Sequence, residues 1–282
     1  MTNRLILVEG LPGSGKSTIS KMIYDILTES GRKAVLFQEG NPDHPADYEG
    51  VAMLTPDLYK ELLLDPVKAA FLDSSFIMED ERHVLIPYRK LQEKYGADFP
   101  ESLLTELSGS DVYEQPIEIN RKLITSRWKQ FAAQAQGEET IYIFECCFIQ
   151  NPVTVSMVKY GLSLEASADY ILGLAEAASC LNPLLIYIEQ DDYSSSFKRA
   201  VDERPREWAE GFTAYYTEQG YGKRMKLAGL EGAEAVLKAR GKMELEILRS
   251  LPIDKVKLNN SRYDQGLARQ SLIDLISPFI KA

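Results

Sequence analysis

Gly10-Leu11-Pro12-Gly13-Ser14-Gly15-Lys16-Ser17-Thr18 is the stretch that decides the fold. It matches G-x-x-x-x-G-K-[ST], a phosphate-binding loop. Its glycines let backbone N–H groups converge on one concavity and approach phosphate oxygens closely. Lys16 brings a mobile charge to the β- and γ-phosphates. Ser17 offers a hydroxyl to Mg²⁺, Thr18 supports the phosphate end, and the following helix aims its N-terminus at the anion. A match by chance is expected about once per hundred chains of this length. The flanks remove most of that chance. Leu5 to Val8 is a continuous apolar run, as in a parallel strand buried on both faces. After the loop, Ile19, Met22, Ile23, Ile26 and Leu27 recur at helical spacing, with Gly31 as a stop. Ala34 to Phe37 follows as a second strand, which completes an opening βαβ unit.

Outward from this unit, Ile141 to Phe144 and Leu184 to Ile188, just after Asn182-Pro183, are further core strands. Lys255 to Leu258 is a fifth, ahead of an amphipathic segment carrying Leu267, Leu272, Ile273 and Ile276. The stretch from about 55 to 136 lacks strand alternation and is expected to be a helical insertion, broken near Pro87, Pro100 and Pro116. No Pro/Gly/Ser-rich linker, repeat or low-complexity segment divides the chain. The expectation is a single α/β domain over 1–282. It is a P-loop NTPase three-layer sandwich with a five-stranded parallel sheet, a helical insertion, and an Arg-rich lid at about 193–210.

At 282 residues and 45% hydrophobic composition, such a domain can bury a sizeable core. The net charge of −10 is dispersed, which disfavours nucleic acid and anionic lipid as partners. Three cysteines, two of them adjacent (Cys146, Cys147), form neither a disulfide framework nor a CxxC zinc site, and a count of only two histidines argues against a His-based metal site. The N-terminus runs directly into a strand and no apolar run reaches membrane-spanning length. A cytoplasmic setting is expected.

The chain resembles thymidylate kinases and deoxynucleoside kinases. Leu5-Ile6-Leu7-Val8-Glu9-Gly10 running into the loop is similar to that family's opening, and Gln38-Glu39-Gly40-Asn41-Pro42 to its strand-end Glu. Asn182 to Ile188 resembles its Pro-apolar strand. Phe197-Lys198-Arg199-Ala200 with Asp202-Glu203-Arg204-Pro205-Arg206 resembles its Arg-rich lid. The resemblance implies ATP with Mg²⁺ as cofactors and Glu39 as general base toward an acceptor hydroxyl. A carboxylate at the C-terminal edge of a parallel sheet suits that work. Glu145, ending its strand, is the expected acid for Mg²⁺ beside Ser17. The family's Arg after that acid is replaced by Cys146, a departure that points to a divergent acceptor; Cys146 and Cys147 themselves read as small core residues. Arg199 and Arg204, with Arg206 third, suit stabilisation of a transferring phosphoryl group.

Asp43 and His44 read as turn residues. Arg121, Arg127 and Trp128 are alternatives for lining an acceptor pocket, although aromatics at helical spacing more often form core. The expected activity is an ATP-dependent kinase for a small-molecule acceptor, with a homodimer compatible. The alternative is an NTPase switch that hydrolyses or merely binds ATP. Gln38 and Gln150 keep hydrolysis open, while the absence of N-K-x-D argues against a GTPase.

Overall fold

The computed structural model describes residues 3–72, 77–79 and 82–280. Eight strands are seen among them: β1 (Leu5–Gly10), β2 (Ala34–Phe37), β3 (Ala52–Leu54), β4 (Met78–Glu79), β5 (Val84–Ile86), β6 (Ile141–Glu145), β7 (Pro183–Glu189) and β8 (Asp254–Asn259). Five form a wholly parallel sheet in the order β2-β6-β1-β7-β8. The five expected strands are therefore all present, and the protein has the P-loop α/β architecture.

Every residue of β1 is buried, which explains its unbroken apolar run. Ile6 and Val8 pack with Ile143, Leu184 and Ile186 against Ile19, Ile23 and Leu27 of the helix Lys16–Glu29. Leu272 and Ile276 of the last helix, Gln265–Ile280, complete this layer. A separate aromatic group joins β6 to the helix Ile117–Ala135. Trp128, wholly buried, meets Phe144 and Phe148 at ring-centroid distances of 5.8 and 5.6 Å, and Phe131 meets Phe144 at 4.9 Å. The two Trp128 contacts are edge-on and the Phe131 contact tilted, and such aromatic pairs add to simple burial. Trp128 is thus core rather than pocket lining.

By compactness the chain divides into two units, Gly40–Arg127 and the remainder. The Gly40–Arg127 unit has its own core, built from Leu54, Leu62, Val84, Ile86, Leu91 and Leu103. It holds a small antiparallel sheet in the order β3-β5-β4, where the sequence led us to expect helices throughout 55–136. The reason is length: strands of two or three residues are too short to display alternation. The helices of this unit do follow the prolines. Tyr88–Tyr95 and Glu101–Gly109, and Ile117–Ala135, which starts in this unit and ends in the other, begin directly after Pro87, Pro100 and Pro116, whose fixed φ suits a helix start.

Candidate active site

Strand order builds the site. Because β6 lies between β1 and β2, the residues leaving the C-terminal ends of all three strands become neighbours. These are the loop after β1, Glu39 just after β2, and Glu145 closing β6. The register confirms the alignment, with Val8 opposite Glu145 and Phe37 opposite Phe144. Open α/β sheets bind their ligands at this edge.

The loop is drawn tight from outside. Tyr263 Oη donates to the Gly13 carbonyl at 2.8 Å, and Arg199 reaches the same oxygen at 3.3 Å. Asn260 and Gln190 both donate to the Ser14 carbonyl, at 2.8 and 3.1 Å. Occupying carbonyls from the outer side is what a loop needs if its N–H groups are to face an anion. Gly13 and Gly15 are obligatory in this conformation. Their φ values are 83° and 91°, and an added Cβ would fall 2.7 Å from the Ser196 carbonyl oxygen and 2.5 Å from Asn260 Nδ2, respectively.

Lys16 is 5% exposed and donates to the Leu11 carbonyl at 3.1 Å. Burial works against its charge, but the Glu39 and Glu145 carboxylates help to hold the ammonium above its ordinary range. Ser17 Oγ donates to Glu145 Oε1 at 2.7 Å, so the two groups expected at a metal are in contact. Burial raises the Glu145 pKa, opposed by the Ser17 bond and by Lys16. Hydroxyl and carboxylate oxygens side by side are the hard donors that Mg²⁺ takes, so the residues present fit that ion. Exposed Glu39 is held at both oxygens, by Gln150 Nε2 at 3.0 Å and by Cys146 Sγ at 3.3 Å.

A cavity of about 410 Å³ joins these groups. Pro12, Gly13, Gly15 to Thr18, Glu39 and Glu145 line one side, with Arg199 and Arg204 also on its wall. Arg199 belongs to the helix Tyr193–Asp202 and stacks 3.3 Å from the centroid of the Tyr263 ring. Arg204 follows that helix and lies over Trp208 at 4.2 Å, while Arg206 opens the next helix, Arg206–Thr217, and pairs with Glu210. Gly10, Leu11 and Ser14 belong to the loop but not to the cavity wall. Of the other candidates, Asp43 pairs with Lys90 at 2.5 Å, and His44 is buried in a turn where it accepts from the Ala46 N–H. Burial, then Arg127, pushes the His44 pKa down to about 3. Arg127 lies 5.3 Å from the centroid of the Tyr48 ring, and Arg121 lies on the same helix as Arg127.

Several participants escaped the sequence. Glu9, wholly buried, accepts the Phe148 and Gln150 N–H groups at 2.8 Å each, and so pins the segment after Glu145. Burial pushes its pKa up to about 7 against those bonds, with Glu244 adding to the rise. Trp208, Phe212 and Tyr216 recur every fourth residue and line the cavity with Arg240. Phe212 and Tyr216 stack at 4.0 Å, and Arg240 reaches Tyr216 Oη and Glu244 at 2.6 Å each. The i, i+4 aromatic spacing was the only advance signal, and it equally describes core. Thr154, also on the wall, starts a π-helical turn, Thr154–Lys159, a rare feature often found at functional sites.

No protein-family model matches the chain, and no curated protein matches it. Among solved structures it is similar to deoxyadenosine kinase from M. mycoides with the products dCMP and a flexible dCDP bound, at 14% identity and a TM-score of 0.42, covering 97% of this chain and 99% of that one. A second structure of deoxyadenosine kinase from M. mycoides, with bound dATP, gives 14% identity, the same coverage and a TM-score of 0.41. No helix among the described residues is long and apolar enough to cross a membrane.

Proposed function

We propose that the protein is an ATP-dependent kinase that transfers the γ-phosphoryl group to a small-molecule acceptor of the nucleoside or nucleotide class. The observation that carries this is a single cavity holding Lys16, the Ser17–Glu145 pair, Glu39 and Arg199. Phosphoryl transfer asks the protein for positioning and for charge placed around the moving group rather than for a covalent intermediate. Lys16 and the loop hold the triphosphate. Ser17 and Glu145 would hold Mg²⁺, which would supply neutralisation of phosphate charge. Arg199 and Arg204 meet the charge that spreads over the transferring oxygens.

The acceptor oxygen forms its bond to the γ-phosphorus as the bond to the β-phosphate oxygen breaks, and ADP leaves. Glu39 takes the proton from the acceptor hydroxyl. Gln150 and Cys146 fix that carboxylate while leaving it accessible from the cavity. The aromatic row Trp208, Phe212 and Tyr216 offers flat apolar surface on which a ring could lie.

The test is ATP consumption with Mg²⁺ across nucleosides, nucleotides and hydroxylated antibiotics. Acceptor-dependent turnover is expected, abolished in Lys16→Ala, with kcat lowered about 10²- to 10⁴-fold in Glu39→Gln. Hydrolysis independent of any acceptor, with Glu39→Gln unimpaired, would replace this reading with an NTPase switch.

A further inference from the structure

The donors beside the loop are not all hard. Cys146 occupies the left-handed region at φ 70°, uncommon for a residue with a side chain, and its thiol lies between two carboxylates. Sγ is 3.3 Å from Glu39 Oε2 and 3.9 Å from Glu145 Oε1, and donor atoms of all three residues fall within 4.8 Å of one another. A tetrahedral ion with sulfur at about 2.3 Å and oxygen at about 2.0 Å requires sulfur–oxygen edges of about 3.5 Å. The two observed edges bracket that value. Mg²⁺ has no use for the sulfur, since it takes oxygen ligands in octahedral geometry.

A second observation points independently to a missing ligand. The Gln150 side chain is 6% exposed, and its Nε2 is spent on Glu39. Its Oε1, on the same carboxamide and therefore beside the cluster, is buried with no hydrogen-bond partner. Leaving such an acceptor unpaired costs about 1–3 kcal/mol, which a cation would relieve. The opposing charge is Lys16, whose ammonium donates to the Leu11 carbonyl.

We propose that Glu39, Cys146 and Glu145 form a site for a thiophilic divalent cation such as Zn²⁺, with Gln150 Oε1 as a fourth donor, overlapping the Mg²⁺ position at the loop. On binding, the sulfur–metal bond replaces the thiol S–H bond and the proton leaves to solvent. The ion engages both Glu39 and Glu145, so it competes with Mg²⁺-nucleotide. The site rests on the donor geometry and not on the kinase reading, since it uses these side chains whatever reaction they serve.

Cobalt is the probe. Co²⁺ is titrated into the metal-free, full-length protein without nucleotide, and near-ultraviolet absorption is followed for sulfur-to-cobalt charge transfer. A saturable band is expected that Zn²⁺ displaces. It should be absent in Cys146→Ser and retained in Cys147→Ser and Cys180→Ser. Glu39→Gln changes an exposed side chain and is expected to weaken Co²⁺ by about tenfold or more, which keeps the test decisive if Cys146→Ser does not fold. No charge-transfer band in the unaltered protein, or one unchanged in Cys146→Ser and Glu39→Gln, overturns the proposal. Failure of acceptor phosphorylation does not, because the band is read without ATP.

Discussion

Replacing Glu9 by glutamine should change how stability depends on pH, and the structure sets both sign and size. Glu9 is wholly buried, and burial raises its pKa from 4.5 to about 7. Between those values the folded chain keeps a proton that the unfolded chain has released, so stability falls as pH rises through the window and levels off above about 7. The full gap corresponds to about 3 kcal/mol, at about 1.4 kcal/mol per pH unit. From about pH 5.5 to 7.5, safely above the sequence pI of 4.9, about 2 kcal/mol of it is accessible. The carboxamide introduced by Glu9→Gln is neutral throughout but has a single acceptor oxygen for two N–H groups, those of Phe148 and Gln150. One is left unpaired at a cost of about 1–3 kcal/mol. The variant should therefore be less stable near pH 5.5, and its deficit should shrink by about 2 kcal/mol by about pH 7.5. Urea unfolding at several pH values measures this, followed by tryptophan emission. Trp128 packs on Phe148, within the segment that Glu9 pins, so one of the two tryptophans lies at the affected segment. Because the comparison is a difference, other titrating groups cancel. A deficit that stays constant with pH would refute the buried, proton-holding Glu9 described above.

Arg240 and Glu244 are 1% and 0% exposed, so Arg240→Met strands a buried carboxylate and should cost about 3–5 kcal/mol in urea unfolding. Adding Glu244→Gln should recover much of that loss; no recovery would mean that Arg240 acts mainly through Tyr216. Gly13→Ala forces a Cβ against the Ser196 carbonyl oxygen at a left-handed position, with strain of about 1–2 kcal/mol. An ATP affinity lower by about tenfold or more is expected by titration calorimetry, and unchanged affinity would show that the loop does not hold phosphate in this conformation.

How far the site was legible depends on whether its parts are neighbours in sequence or in space. The loop, its strand and its helix are contiguous, and each has a local signature: glycines at fixed offsets, an apolar run, a helical period. The remaining parallel strands were legible because burial on both faces leaves unbroken apolar runs such as Leu184 to Ile188. Strands β4 and β5 were not, because two or three residues carry no period and their pairing with β3 is an event of tertiary structure. Glu39 and Glu145 could be nominated only as strand-end acids. That they share one edge follows from β6 inserting between β1 and β2, which no local pattern states.

Glu9 shows a harder limit. In sequence it is an acid directly after an apolar run, near the end of β1, and reads there as a strand-end residue rather than a wholly buried one. What makes it fit is a pair of backbone N–H groups more than a hundred residues away, at Phe148 and Gln150. The loop has the same dependence. The Gly13 and Ser14 carbonyls are held on the outer side by Asn260, Tyr263 and Gln190, and those donors leave the ends of β7 and β8. A P-loop motif therefore specifies which conformation its glycines permit, while the residues that select it arrive with the last strands of the sheet. Chains that share the motif can then differ in how firmly the cradle is preset, and here four side chains from outside the loop hold two of its carbonyl groups.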